Sequence, residues 1–211
     1  MNAIGSDVAV KRLGRVDYAR TLEAMRGFTA RRDADTPDEF WLLEHPPVYT
    51  LGQAADPAHG PGEAASIPVM RVDRGGQVTY HGPGQVVLYA LVDLARRGIK
   101  VREFVRMLER AAIDTLAAYG VPAECRPGAP GVYVAGAKVG ALGLRVSRGR
   151  CYHGLALNVD CDLAPFDAID PCGDPGLAVT STRALGIKAG TGEIGEQLAA
   201  RLMEQLESVH A

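Results

Sequence analysis

Cys172 stands in Asp170-Pro171-Cys172-Gly173-Asp174-Pro175-Gly176, a run of turn formers, so its thiol belongs on a loop and not in a core strand. Pro171 fixes the approach of the chain, and Gly173 leaves space beside the sulfur. Only the thiolate is a strong nucleophile, and a free thiol titrates near ~8.5. Asp170 and Asp174 would disfavour the thiolate if they faced it, so a nucleophilic role requires a cation from elsewhere. Without one, Cys172 is an ordinary loop cysteine. Lys138 is the residue that can supply that cation. It lies in Gly136-Ala137-Lys138-Val139-Gly140-Ala141-Leu142-Gly143, a segment otherwise small or apolar. Such a lysine either sits at an edge with its head in water or is buried for a purpose, where its amine can take up and return a proton.

Two histidines join this set. His81 lies inside a glycine-rich stretch, and His153 stands between Cys151-Tyr152 and Gly154-Leu155-Ala156. Each suits a general base, a donor to a carbonyl, or a satisfied core histidine. His45 precedes Pro46-Pro47 and reads as a turn residue, while His59 and His210 read as surface. No His-x-x-x-His or His-Glu-x-x-His pattern occurs, so no metal site is expected. Cys125, Cys151, Cys161 and Cys172 form no Cys-x-x-Cys pair, which argues against structural zinc or a dithiol redox motif.

The stretch that must position these groups is Arg71–Val92, RVDRGGQVTYHGPGQVVLYALV. It reads as strand, tight loop, strand, with Arg74, Gln77, Tyr80 and His81 around the loop. Glycines let a backbone approach a ligand closely because no Cβ intervenes. Gln85–Val92 is a buried strand. Neither a Walker-type loop nor a clean Gly-x-Gly-x-x-Gly after a strand is present, so phosphate binding has no positive support.

Around it, Val16–Arg32 reads as a helix capped by Asp17. Phe40–Glu44, Val48–Leu51 and Ile67–Val72 read as strands, and Gly52–Ser66 as a surface loop. Lys100–Gly120 is a helix whose stripe is Val101, Phe104, Val105, Leu108, Ala112 and Leu116, with Arg106 and Glu109 on the opposite side. Gly131–Val134, Lys138–Val146 and Cys151–Val159 read as an antiparallel meander. Thr180–Leu185 reads as one helical turn, and Thr191–Val209 as a closing amphipathic helix. The strands do not alternate regularly with helices, so the expected class is α+β, with a mixed, mainly antiparallel sheet flanked by helices.

The 211 residues suit a single catalytic domain spanning 1–211. A 47% hydrophobic composition can fill a core. The net charge of −2, with both signs interspersed, leaves no footprint for nucleic acid. No apolar run approaches membrane-span length, and the N-terminus lacks the apolar core of a signal peptide. The expectation is a cytoplasmic protein whose thiols are reduced.

The block Arg74-Gly75-Gly76-Gln77-Val78-Thr79-Tyr80-His81-Gly82-Pro83-Gly84-Gln85 closely resembles the signature of lipoyl(octanoyl) transferases, which move octanoyl from acyl carrier protein to protein lysines. The likeness continues through Glu44 to Gly52, Lys138 to Gly143, His153 to Asp160, and Pro171-Cys172-Gly173, in the family order. Gly140 and Asp174 stand where relatives often carry other residues. The resemblance implies a fold similar to biotin and lipoate-protein ligase catalytic domains. It implies that Cys172 is the acyl-carrying nucleophile and Lys138 its activator. It places substrate contacts at Arg74, Gly75, Gly76, Gln77, Val78, Thr79, Tyr80 and His81, at Ala141, Leu142 and Gly143, and at Gly154, Leu155 and Ala156, with His153 and His45 as auxiliary groups.

The implied reaction transfers octanoyl from acyl carrier protein to a lysine of lipoyl domains. The implied acceptors are 2-oxoacid dehydrogenase subunits and the glycine-cleavage H protein. No cofactor is implied, because octanoyl arrives on the phosphopantetheine arm of acyl carrier protein and one thioester replaces another without ATP. Val78, Leu142, Leu144 and Leu155 would line the acyl tunnel or pack the core. Arg71, Arg74, Arg145, Arg148 and Arg150 would form a basic rim for acidic partners or a solvated surface. Three readings compete: an ATP-dependent lipoate or biotin ligase, a non-catalytic binding protein, and a cysteine hydrolase that relies on a histidine.

Overall fold

The structure, a computed structural model, describes residues 8–62 and 66–209 and, of Cys172, the backbone alone. His210 and part of the expected 52–66 loop therefore lie outside the described residues. In chain order the elements are β1 (Val8–Arg15), α1 (Tyr18–Arg31), β2 (Asp38–Glu44), β3 (Val48–Leu51), β4 (Val69–Arg71), β5 (Val78–His81), β6 (Gln85–Leu91), α2 (Val101–Ala117), β7 (Glu124–Arg126), β8 (Ala129–Val134), β9 (Ala137–Ser147), β10 (Arg150–Asn158) and α3 (Thr191–Ser208). Short 3-10 turns occupy Pro57–His59, Ala164–Ala168 and Pro171–Gly173.

Seven strands form one sheet in the order β1-β2-β6-β10-β9-β8-β7, and β4-β3-β5 form a second. Pairing is antiparallel except for β1 with β2 and β3 with β4. The expected α+β architecture is thus observed.

β2 and β6 read as continuous apolar runs because both sheet faces are covered. Successive side chains in a strand point to opposite faces. Accordingly Phe40, Leu42, Val86 and Leu88 join a core with α2 and α3 through Phe104, Leu108, Ile194 and Leu198. Trp41, Leu43, Val87 and Tyr89 join a second core with Tyr18, Leu22 and Met25 of α1. A third, smaller cluster of Tyr49, Val78, Tyr80, Phe166 and Ile169 fastens the small sheet.

Several expectations need correction. β1 was not anticipated, because most of its residues face solvent and carry charge, the usual guise of an edge strand. The short β7 also escaped. Thr180–Leu185 forms a turn and no helix. Glu109 does not face water: it is buried, and its Oε1 accepts the Gly131 N–H at 3.0 Å.

One buried charge ties three segments together. Asp38, at the start of β2, accepts from Arg32 after α1, from Arg96 at 2.8 Å, from Arg97 at 2.5 Å and from the Asp93 N–H at 2.9 Å. Burial pushes this carboxyl up, but the bonds from Arg32, Asp93 and Arg97 outweigh it and hold the group below the ordinary range. Removing one member of a buried ion cluster leaves the others uncompensated. Asp38→Asn is therefore expected to cost about 3–5 kcal/mol, read as a shifted urea midpoint at constant slope. A change under ~1 kcal/mol would show that the arginines find water instead.

Candidate active site

The glycine loop sits where backbones must nearly touch. The Gly75 N–H donates to the Leu144 carbonyl of β9 at 2.8 Å, and a Cβ on the facing Gly143 would stand 2.7 Å from the Gly75 oxygen. A Cβ on Gly52 would overlap the Gly76 carbonyl, so the loop is clasped on that side too. Arg74 braces the turn from within. Its Nη2 donates to the Thr50 carbonyl at 2.6 Å and to Thr50 Oγ1 at 2.8 Å, and its Nη1 to the Gly75 carbonyl at 3.0 Å. Arg74 is buried, so it belongs to no rim; Arg150 pairs with Asp93, while Arg71 and Arg148 are exposed.

Next to the loop, Asp73 gathers four donors from two elements: Arg26 of α1 (Nε at 2.9 Å and Nη2 at 2.8 Å), and Tyr152 (2.7 Å) and His153 (2.9 Å) of β10. Burial pushes the Asp73 carboxyl up, yet these hydrogen bonds hold it far below the ordinary range. Neighbouring residues of a regular strand cannot both reach one carboxylate. His153 does so through a left-handed backbone, φ +63°, a conformation that costs a non-glycine residue on the order of 1 kcal/mol and that concentrates at functional sites. His153 Nε2–H donates to Asp73, and its Nδ1, buried, has no partner among the described residues.

The other histidines are also fixed. His81 Nδ1–H donates to Gln85 Oε1 at 2.7 Å, while Gln85 Nε2 donates to Asn158 Oδ1 at 2.9 Å. His45 is no exposed turn residue. Its Nδ1–H donates to the Val16 carbonyl at 2.7 Å, and its Nε2 accepts from Tyr89 Oη at 2.8 Å. Burial is the leading cause that lowers all three imidazoles, His45 to about 4 and His81 to about 3, and His153 in the same direction despite Asp73.

Lys138 is 4% exposed. Its Nζ donates to the Pro130 carbonyl at 3.2 Å and stands over the Tyr133 ring at 5.5 Å. Gly131, at φ +148°, makes the room: a Cβ there would stand 2.7 Å from Lys138 Cε. The Lys138 backbone also receives the chain that follows Cys172. Lys138 N–H donates to the Ala178 carbonyl at 2.8 Å, and Thr180 N–H to the Lys138 carbonyl at 2.9 Å. Cys172 itself lies in the 3-10 turn Pro171–Gly173; its side chain is outside the described residues. Gly173 and Asp174 N–H groups are committed to the Asp170 and Pro171 carbonyls.

A cavity of about 300 Å³ collects these segments. Of the residues singled out in the sequence, Arg74–Thr79, His81, Lys138, Ala141–Gly143 and His153–Ala156 line it, together with Leu144 and Pro171. Tyr80 does not; its ring packs on Tyr49 and Phe166. His45 is also outside the lining, and lies behind it against Tyr18, His81 and Tyr89. Val101 and Val105, read as core residues of α2, line the cavity, and Val101 is 44% exposed.

Sequence reading missed Asp73, Glu109 and Gly131. Asp73 directly precedes the glycine block and could have been noticed there; the other two act through contacts that no local pattern announces. The remaining thiols are poor nucleophiles where burial acts on them: it pushes Cys161 up to about 11 and Cys151 higher. Cys125 is exposed. Among the described residues no three His, Cys, Asp or Glu side chains cluster as metal ligands, and no helix is long and apolar enough to cross a membrane.

Residues 17–203 match the lipoyl protein ligase A/B catalytic domain family. An octanoyltransferase of Aromatoleum aromaticum is 60% identical over 203 residues, 96% of this chain and 87% of that protein. The fold is similar to that of a lipoate-protein ligase A bound with ATP, with a TM-score of 0.79 at 13% identity over 95% of this chain and 86% of that one. The biotin protein ligase of Aquifex aeolicus is a more distant match, with a TM-score of 0.57 at 12% identity over 94% and 68% of the two chains.

The buried histidines make stability depend on pH. An unfolded chain protonates them below ~6.5, whereas the folded chain resists down to about 4 at His45 and about 3 at His81. In that window the unfolded state binds more protons, so stability is expected to fall as the pH drops from ~6.5 towards 4. The slope is at most ~1.4 kcal/mol per pH unit for each histidine. Urea midpoints across this range measure it, and His81→Asn should flatten the curve. A pH-independent midpoint would contradict the assignment.

Proposed function

The chain belongs to the lipoyl protein ligase A/B catalytic domain family, and from that premise we propose that it is an octanoyltransferase working through an acyl-enzyme on Cys172. The observation that carries this reading is the placement of Lys138. Its buried amine lines the same apolar cavity as Pro171, and its backbone is paired with the strand-like segment that follows Cys172. A thiolate needs a nearby cation, and an amine held out of water in that position supplies one and can also shuttle its proton.

In the first half-reaction the Cys172 sulfur attacks the octanoyl thioester carried by acyl carrier protein. A new C–S bond forms, the old one breaks, and Lys138 passes the thiol proton to the leaving pantetheine sulfur. One thioester replaces another, so ATP takes no part. In the second half-reaction the amine of a lipoyl-domain lysine attacks the octanoyl-enzyme, and the stable amide draws the sequence forward. The proposed acceptors are 2-oxoacid dehydrogenase subunits and the glycine-cleavage H protein. The octanoyl chain lies along Val78, Leu142, Leu144 and Leu155, all at the cavity wall. A cytoplasmic setting, where thiols stay reduced, suits a free nucleophilic cysteine.

Incubation with octanoyl-acyl carrier protein in the absence of ATP is expected to add one octanoyl group to the intact mass. That group is lost in Cys172→Ala and discharged by a lipoyl domain. Lys138→Met is expected to slow formation of the adduct by roughly 10²–10⁴-fold and to move the pH profile of Cys172 alkylation upward. Transfer that appears only when ATP is supplied would overturn the acyl-enzyme in favour of a ligase.

A further inference from the structure

Moving an acyl group from a thioester to an amine releases a proton. In the first half-reaction the count closes: Cys172 gives one proton and the pantetheine sulfur receives one, so Lys138 ends as it began. The second half-reaction does not close in the same way. The acceptor lysine arrives as an ammonium and leaves as an amide, so its nitrogen loses two protons while the C–N bond forms and the C–S bond breaks. One proton returns to the Cys172 sulfur. The other must leave the site. Lys138, at 4% exposure, has little access to water through which to pass it on.

We propose that His59, aligned by Asp170, takes this second proton from the acceptor nitrogen and delivers it to solvent. The assignment rests on the Cys172 acyl-enzyme argued above. His59 ends a 3-10 turn in the loop after β3, and it is clasped to the nucleophile's turn from both sides. Its Nδ1–H donates to Asp170 Oδ2 at 2.9 Å, and its backbone carbonyl accepts the Asp170 N–H at 3.0 Å. Asp170 is two residues before Cys172.

The imidazole lies against the residue on the other side of the cysteine. Its Cδ2 is 3.5 Å from where a Cβ on Gly173 would stand. The ring therefore turns its Cδ2 towards the Cys172 turn while Asp170 holds Nδ1. With Nδ1–H donated to a carboxylate, the neutral ring carries its lone pair on Nε2, the nitrogen that can accept a proton. The carboxylate then stabilises the imidazolium that forms.

The neighbourhood supports both contact with the reaction and exit to water. Gln77, which lines the cavity, has its Nε2 3.4 Å from the same Gly173 position, and its Oε1 accepts the Asp56 N–H at 3.0 Å. The loop bearing His59 is thereby fastened to the cavity wall. His59 itself is outside the lining, and its side chain is 28% exposed against 33% for Asp170. The pair thus stands at the rim, where an acceptor lysine on a folded domain would reach the octanoyl-enzyme.

The two half-reactions are separable, and the test uses that. The full chain is charged with octanoyl-acyl carrier protein, the adduct is quantified by intact mass, and the isolated octanoyl-enzyme is then mixed with a lipoyl domain. His59→Gln keeps a side-chain donor for Asp170 but cannot take up a proton, and His59→Ala leaves space for added imidazole. Both variants are expected to form the adduct within about twofold of the unmodified chain and to discharge it about 10²-fold more slowly. Imidazole in solution should restore discharge in His59→Ala and leave His59→Gln unchanged. Normal discharge in both variants would overturn the assignment. Equal slowing of both half-reactions without imidazole rescue would also overturn it, leaving His59 only as a clasp. If the unmodified chain forms no adduct, the acyl-enzyme itself fails, and the His59 assignment with it.

Discussion

A lysine amine taken out of water is the constraint around which this structure is arranged. Burying an ammonium is unfavourable by several kcal/mol unless its donors find partners. Lys138 has the Pro130 carbonyl and the Tyr133 ring beside it. Its stem fits only because Gly131 has no Cβ and adopts φ +148°. Gly131 is in turn anchored by the carboxylate of Glu109, so a helix on one face of the sheet fixes the shape of a pocket for the lysine. β8 and β9 slip register beside it, between Val132 and Tyr133. The 178–180 segment then pairs with the Lys138 backbone and brings the Cys172 turn to the cavity. The position of the Cys172 turn thus follows from where the lysine is held.

The fold by itself does not choose the reaction. The same architecture, at 13% identity, occurs in a lipoate-protein ligase bound with ATP. Function resides in the side chains and loops carried on a shared scaffold. In this chain those features are local. A turn at Pro171–Gly173 offers a cysteine, and the loop around His59 is fastened to that turn. The glycine loop meets β9 backbone to backbone at Gly75 and Gly143. This close approach narrows the space to an apolar cavity suited to a carbon chain.

The large sheet was legible in the sequence because β2, β6 and β10 are buried and β9 partly so, and all four carry apolar runs. β1 was not, since an exposed edge strand bearing Lys11, Arg12 and Arg15 shows no hydrophobic pattern. Lys138 and Cys172 stood out as candidates from their unusual neighbours, and the family resemblance supplied their roles. Glu109 was misplaced because helical periodicity says which side a residue faces, not that a strand's N–H waits there for a carboxylate. Asp73, His59 and Gly131 act across 80, 111 and 22 residues through their bonds to His153, Asp170 and Glu109. Such pairings are set by topology and are invisible to any local window. His45 read as a turn residue because prolines follow it; the core that encloses it comes from α1 and β6.

The inner wall of the cavity combines hydrogen-bonding order with few charges. An octanoyl chain gains from apolar surface and gains nothing from a charge buried beside it. Yet the glycine loop, α1 and β10 must be registered to one another, and directional hydrogen bonds do this better than apolar contacts. Imidazoles reconcile the two demands. Burial lowers His81, in the wall, and His45, behind it, far enough that both are uncharged near neutral pH. Each then uses one nitrogen as a donor to a fixed acceptor, Gln85 for His81 and the Val16 carbonyl for His45. Besides Lys138, two charges stand at or near the wall: Arg74, whose guanidinium is committed to the Thr50 and Gly75 oxygens, and Asp73, whose charge is met by Arg26 and its oxygens by Tyr152 and His153. These charges are thus each held by fixed partners, Arg74 by Thr50, Asp73 by Arg26 and Lys138 by the Pro130 carbonyl, and the surface between them is uncharged.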